Sequence, residues 1–280
     1  MNPRALILAA SRLTERDLAV LDSLFQHRFL TRQHIQALHF TDPGSPRPAQ
    51  RRLHQLRQDG LILRRRLTAP DGSRDPEPYY ALTPDGAEVV AHRNQLRPRQ
   101  LRKRAGDALS NPLYVRHALA GADLHCALVH AARSHEGHCC PVEWWQGEHA
   151  AEATFTDRGK PALLRPDGYV RYQAGDDIHH LLVEIDLATM STPRLAGKLD
   201  RYRAYHRSAA WRVRYPVFPK LLLLTTGRDR IDDLYERLDP KPEFLLLATT
   251  RTDLQQQGPL AAIWQQPSHT QWRPLLRPNR

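Results

Sequence analysis

The stretch Arg51-Arg52-Leu53-His54-Gln55-Leu56-Arg57-Gln58-Asp59-Gly60-Leu61-Ile62-Leu63 decides how the first third of this chain folds. Leu53 and Leu56, with Ala49 before them, fall on one helical stripe. The other faces of that helix carry Arg47, Gln50, Arg51, Arg52, His54, Arg57 and Gln58, with almost no acid. Such side chains suit phosphates and the edges of guanine and adenine. The helix is read as running to about Asp59, with Gly60 as its stop. Leu61-Ile62-Leu63 then changes to a short apolar run fit for a strand. Upstream, Ser45 and Pro46 follow a turn at Asp42-Pro43-Gly44 and are read as cap and first-turn proline.

Working outward, Leu18, Leu21, Leu24 and Phe25 recur at helical spacing behind Thr14, with Glu15 and Asp17 in the first turn. A second helix starts at Thr31 and buries Ile35 and Leu38. On the other side, Arg64-Arg65-Arg66, a turn at Asp71-Gly72 and Tyr79-Tyr80-Ala81-Leu82 make two strands joined by a basic loop. Thr83-Pro84-Asp85-Gly86 opens a fourth helix reaching about Arg93. The order helix, helix, helix, strand, loop, strand, helix resembles a winged helix-turn-helix domain, here over residues 1–93. The resemblance implies binding to double-stranded DNA through Arg47, Gln50, Arg51, Arg52, His54, Arg57, Arg64, Arg65 and Arg66. Domains of this order also bind protein, which is the competing reading.

Composition favours the nucleic acid. The 280 residues are 41% hydrophobic, enough for one large or two ordinary domains. The net charge of +11 is uneven: residues 1–106 hold 19 Arg and Lys against 10 Asp and Glu, the rest 22 against 20. A basic third on a nearly neutral body implies a polyanion partner for that third. Only five of the 41 cations are Lys, an arginine bias that leaves the asymmetry unexplained. No apolar run approaches the ~20 residues of a membrane span. Met1 to Ala10 is too short for a signal peptide, and Cys126, Cys139 and Cys140 make no disulfide framework. A cytoplasmic protein with no membrane partner is expected. His138 beside Cys139 and Cys140 lacks the second pair that a zinc site needs. Residues 94–111, with Arg97, Arg99, Arg102, Lys103 and Arg104, read as an exposed basic linker.

Residues 112–280 alternate apolar runs with helices, the pattern of an α/β domain whose central mixed sheet is buried on both faces. A long helix is expected from Pro112, with Leu119, Leu124, Leu128 and Val129 buried. Strands are expected at 141–145, 167–172 and 180–187, then at 221–224 and 244–248. Helices are expected at 192–206, with Thr192 as cap, and at 229–238, before a tail rich in Pro and Gln. Asp167 follows Pro166 at a strand start. Glu184 and Asp186 stand two apart, so they share a face roughly 7 Å from each other along the strand. Three such oxygen donors suit Mg²⁺ or Mn²⁺, which would polarise a phosphate and activate water. Lys198, Arg201, Tyr202 and Tyr205 fall on one helical face expected to look back at the acids. Glu143 and Glu148 are further acids nearby. The structural alternative pairs Glu184 and Asp186 with Arg201 or Arg203.

This order resembles the core of PD-(D/E)XK nucleases, with one departure. The family's third strand carries acid, any residue, lysine; here it carries Glu184-Ile185-Asp186. The resemblance implies Asp167, Glu184 and Asp186 as metal and catalytic residues, with Lys198 standing in for the strand lysine. Arg165-Pro166-Asp167-Gly168, Val183-Glu184-Ile185-Asp186, the run from Leu195 to Tyr205 and that from Asn111 to Leu119 are similar to the replication-relaxation family. That family, of plasmids and integrative elements, itself tends to carry acid-x-Asp. It implies a DNA-binding protein of replication, relaxation or transfer, with a nuclease-like domain nicking DNA. A relaxase, replication or transfer protein and a second copy of the chain are the partners expected. The alternatives are a winged-helix transcription regulator with an inactive dimerisation or sensing domain, and a plain endonuclease. The tyrosine-and-histidine pattern of a covalent relaxase is missing from the sequence.

Overall fold

The computed structural model describes residues 12–40, 44–68, 77–95, 111–134, 151–174, 177–238, 243–267, 269 and 271–276, and the backbone of 142–147. The turn at Asp71-Gly72, most of the basic linker, His138 to Cys140, Glu148 and the side chain of Glu143 lie outside them. The chain divides into two compact units, Met1–Cys126 and Ala127–Arg280.

In the first unit, α1 (Glu15–His27) begins with a reciprocal cap. The Asp17 N–H donates to Thr14 Oγ1 at 3.2 Å, and the Thr14 N–H donates to Asp17 Oδ2 at 2.8 Å. A two-residue strand, β1 (Leu30–Thr31), was not legible in the sequence. It leads to α2 (Arg32–His39), where Thr31 caps the His34 N–H. The third helix, α3 (Arg47–Gln58), starts later than expected: Pro46 holds the cap position and no side chain caps it. Its end follows the sequence closely. Gly60 has φ +72°, its N–H donates to Arg57 O, and the Leu61 N–H reaches back to Leu56 O at 3.0 Å. Buried Leu56 and Leu61 complete this Schellman closure.

The strands β2 (Ile62–Arg65) and β3 (Tyr79–Leu82) join β1 in an antiparallel sheet of order β1-β3-β2. Helix α4 (Pro84–Arg93) starts against the α3–β2 corner. Thr83 Oγ1 donates to Gly60 O at 2.6 Å, and a Cβ at Gly86 would meet Leu61 O at 2.0 Å, so only glycine fits there. Val20, Leu21, Leu24, Ile35, Leu53, Leu56 and Val90 form the core. The helix–sheet order is that of a winged helix.

Helix α5 (Pro112–Ser134) differs from the sequence reading, which gave it whole to the second domain. Val115 packs with Phe29, Leu67, Tyr79 and Ala81, and Ala122 joins the α1–α4 core, so the unit boundary falls inside the helix.

In the second unit, β4 (Val142–Gly147), β7 (Gly168–Ala174), β8 (Asp177–Ile185), β9 (Lys220–Thr225) and β10 (Leu246–Thr250) form a mixed sheet of order β10-β9-β8-β7-β4. The pairs β8–β9 and β9–β10 are parallel, while β4–β7 and β7–β8 are antiparallel. The hairpin β5 (Ala153–Asp157) and β6 (Lys160–Leu164) escaped the sequence reading; its two-residue loop puts Arg158 and Gly159 at φ 50° and 78°. Helices α6 (Thr192–Ser208) and α7 (Arg228–Tyr235) cover one sheet face, with Leu182, Leu195, Leu199, Leu223, Ile231 and Leu234 packed between. A short α8 (Arg251–Gln257) lies in the presumed tail, where Gln265 also pairs with Ala248 and Trp264 is fully buried. Among the described residues, no helix is long and apolar enough to cross a membrane.

Candidate nucleic-acid interface and acidic site

In the first unit, the apolar stripe of α3 turns Ala49, Leu53 and Leu56 inward. The opposite side therefore presents Arg47, Gln50, Arg51, His54 and Arg57, all exposed and with side chains lacking a hydrogen-bond or ion-pair partner among the described residues. Arg64, Arg65 and Arg66 are exposed on and just beyond β2. Beside α3 lies a groove of about 670 Å³, lined by Gln50, His54 and Arg57, by Arg32 and Gln33 of α2, by Arg64 and Tyr80 of the sheet, and by Glu77 just before β3. Arg32 and Gln33 were missed from sequence; the signal was their place directly after the Thr31 cap, at a helix start.

Arg52 does not belong to this face. Its Nε donates to Asp17 Oδ1 at 2.8 Å and its Nη2 to Asp17 Oδ2, and Asp17 is 1% exposed. Burial pushes the Asp17 carboxyl up, but Arg52 and the Thr14 cap outweigh it and hold the group below its usual value. Arg52 is thus the strut that fixes α3 on α1.

In the second unit, β7 and β8 pair so that Gly168 faces Val183. The preceding residue, Asp167, donates its N–H to Val183 O at 2.9 Å and accepts from the Ile185 N–H through Oδ2 at 2.8 Å. Glu184 points from the same end of β8 into the layer under α6. Lys198 Nζ contacts Glu184 Oε2 and lies 3.7 Å from Asp167 Oδ1. Tyr202, one turn further along α6, donates its hydroxyl to Glu184 Oε1. Burial pushes the Glu184 carboxyl up to about 8, Asp167 adds to the rise, and Lys198 and Tyr202 oppose it. Burial also raises Tyr202 well above the ordinary phenol value, keeping it a donor.

The other expected members are elsewhere. Asp186 lies just past β8 and is gripped by Arg230 of α7, with Nε to Oδ2 at 2.8 Å and Nη2 to Oδ1 at 3.3 Å. Thr225 Oγ1 and the Ala188 N–H also donate to it. Arg230 further donates to Met190 O and to Thr192 Oγ1, so Thr192 is not the cap of α6 but an acceptor in this network. Nothing in the local sequence pointed to Arg230, 44 residues away. Arg201 is exposed and Arg203 pairs with Asp200, while Tyr205 packs against Phe155 and Phe218. The face Lys198, Arg201, Tyr202, Tyr205 is therefore split, and only Lys198 and Tyr202 meet the acids. A three-carboxylate metal set is not formed: no group of three or more His, Cys, Asp or Glu fit to hold a metal occurs among the described residues. Of the three expected carboxylates, two, Asp167 and Glu184, stay together at Lys198. That number is compatible with Mg²⁺, which often takes one or two carboxylates and fills its other positions with water and phosphate oxygens.

A winged helix followed by a mixed α/β unit with an acid–lysine–tyrosine cluster defines the class of this protein. Residues 21–221 match the model of the replication-relaxation family, and the chain belongs to that family. No curated protein matches the chain. Among solved structures it is similar to a cysteine-to-serine mutant of MarR from E. coli complexed with operator DNA. The identity is 23% over 36% of this chain and 68% of that one, with a TM-score of 0.25.

Proposed function

We propose that this protein binds double-stranded DNA through its winged helix, in the replication, relaxation or transfer of a plasmid or other mobile element. The exposed Arg47, Gln50, Arg51, His54 and Arg57 on α3 carry this reading. Basic side chains held out by a packed helix, beside the arginines of β2, form a cationic surface that gains from releasing counterions at phosphates. Membership of the replication-relaxation family supports the setting. The test is filter binding to duplex DNA across a salt series. Affinity falling steeply and linearly on a log–log plot is expected, and binding without a salt slope defeats the reading.

A second activity, metal-dependent nicking by a nuclease-like second domain, is favoured by the approach of Lys198 to both Asp167 and Glu184. Mg²⁺ or Mn²⁺ held by those two carboxylates would polarise a phosphate and lower the pKa of a bound water. Lys198 would neutralise charge at the phosphate, and Tyr202 holds Glu184 in position. Supercoiled plasmid should be nicked with either metal, and Asp167→Ala and Glu184→Ala should stop nicking while duplex binding persists. Intact supercoiled DNA with both metals refutes the chemistry. It would favour the alternative, a winged-helix regulator with a non-catalytic second domain.

A further inference from the structure

The groove beside α3 separates two kinds of side chain. Gln50, His54 and Arg57 stand at spacings of four and three residues, so they share one stripe, and all three line the groove. At about 1.5 Å per residue, Gln50 and Arg57 are separated by roughly 10 Å along the helix, or about three base-pair steps of a duplex. Their chemistry is that of purine readers. A glutamine amide matches the N6 and N7 of adenine in two bonds, and a guanidinium matches the O6 and N7 of guanine. Arg32 and Arg64 have a different place. Arg32 follows β1 and Arg64 sits on β2, the two edge strands of the sheet of order β1-β3-β2. Leu30 and Arg64 both pair with Tyr80 of the central strand, so the two edges are in register on either side of it. Arg32 also donates to Gln36 Oε1 at 2.7 Å, which fixes its guanidinium near the start of α2. Glu77 lines the same space.

We propose that α3 reads sequence through Gln50 at an adenine and Arg57 at a guanine about three base pairs away, while Arg32 and Arg64 grip the backbone without reading it. This rests on the duplex-binding reading above and names its specificity determinants. Arg52, on the same helix, is excluded from readout by its bond to Asp17.

The experiment is selection of the full-length protein on a randomised duplex library, followed by affinity measurements on the selected and on a random duplex. The wild type should enrich a motif with an adenine and a guanine two to four base pairs apart. Gln50→Ala should erase the preference at the adenine and Arg57→Ala at the guanine, each weakening the selected duplex by about tenfold or more and the random duplex far less. Arg64→Ala should weaken both duplexes alike and lower the salt slope by about one. If the wild type binds duplex DNA with a salt slope but enriches no such motif, or if Gln50→Ala and Arg57→Ala keep the wild-type motif, the readout proposal falls and the duplex-binding reading stands. If neither duplex is bound, both fall.

Discussion

The polar centres of the two units are built from the same kinds of charged residue but aim them in opposite directions. On α3, Arg47, Arg51 and Arg57 are exposed, and the helix buries only its Ala49, Leu53 and Leu56 stripe. At the end of β8, Glu184 and Asp186 are each 1% exposed, and each has its cation within the unit, Lys198 for one and Arg230 for the other. A charge turned to water is available to a phosphate, whereas a charge taken out of water must find its counter-ion inside. Arg52 shows that position, not residue type, makes the difference. It lies among the exposed arginines of α3 and yet belongs with the buried pairs, because Asp17 waits beneath it.

The sharpest way to break this contrast is at Asp186. Arg230→Met should strand a buried carboxylate and cost about 3–5 kcal/mol, read by urea unfolding. A loss below about 1 kcal/mol would mean that Asp186 is solvated and open to another ligand. Next comes Arg52→Met, which leaves Asp17 without its strongest partner and should cost about 2 kcal/mol. Its effect on duplex affinity, measured on the folded fraction, should be smaller than that of Arg57→Ala. In turn, Arg57→Ala should change stability by no more than about 0.5 kcal/mol, the range of an exposed site. If Arg52→Met instead cuts DNA affinity with stability intact, the division between strut and contact is wrong.

The smallest effect concerns pH. His27 is buried, its Nε2 lies 2.9 Å from His125 Nδ1, and burial, then His125, His34 and His39, hold it well below 6.5. The folded state therefore keeps His27 neutral while the unfolded chain takes up a proton. The stability this contributes is present above pH 6.5 and declines as pH falls below it. Urea midpoints at pH 7.5, 6.5 and 5.5 should fall less for His27→Phe than for the wild type. Equal slopes would place the acid sensitivity elsewhere, His179 being a candidate because burial and Lys220 hold it at about 4.

Much of the fold was readable because local rules and tertiary packing agree. The Thr14 and Thr31 caps and the Gly60 stop are each decided within a few residues of chain. The strands β9 and β10 announced themselves as apolar runs, since a strand covered on both faces needs them. What escaped lacked such a signal. Strand β1 is two residues long, the β5–β6 hairpin turns on Arg158-Gly159, and α8 hides in a glutamine-rich segment. At the candidate site, the resemblance implied Lys198 beside Asp167 and Glu184, and helical spacing added Tyr202 to it, but the same spacing wrongly added Arg201 and Tyr205. The fate of Asp186 was not legible, because spacing says which side of a strand a residue faces and not which cation arrives from another helix.

The sequence by itself therefore determined the basic winged helix, its polar face and the strand–helix frame that carries the acids. These are properties of periodicity, caps and charge, which act over short stretches of chain. Only the tertiary structure decided which charges are spent on the fold. Arg52 meets Asp17 and Arg230 meets Asp186 across 35 and 44 residues of sequence. The cost of burying a carboxylate is met by whichever cation the fold brings within hydrogen-bond reach, and that proximity exists only after the elements have packed.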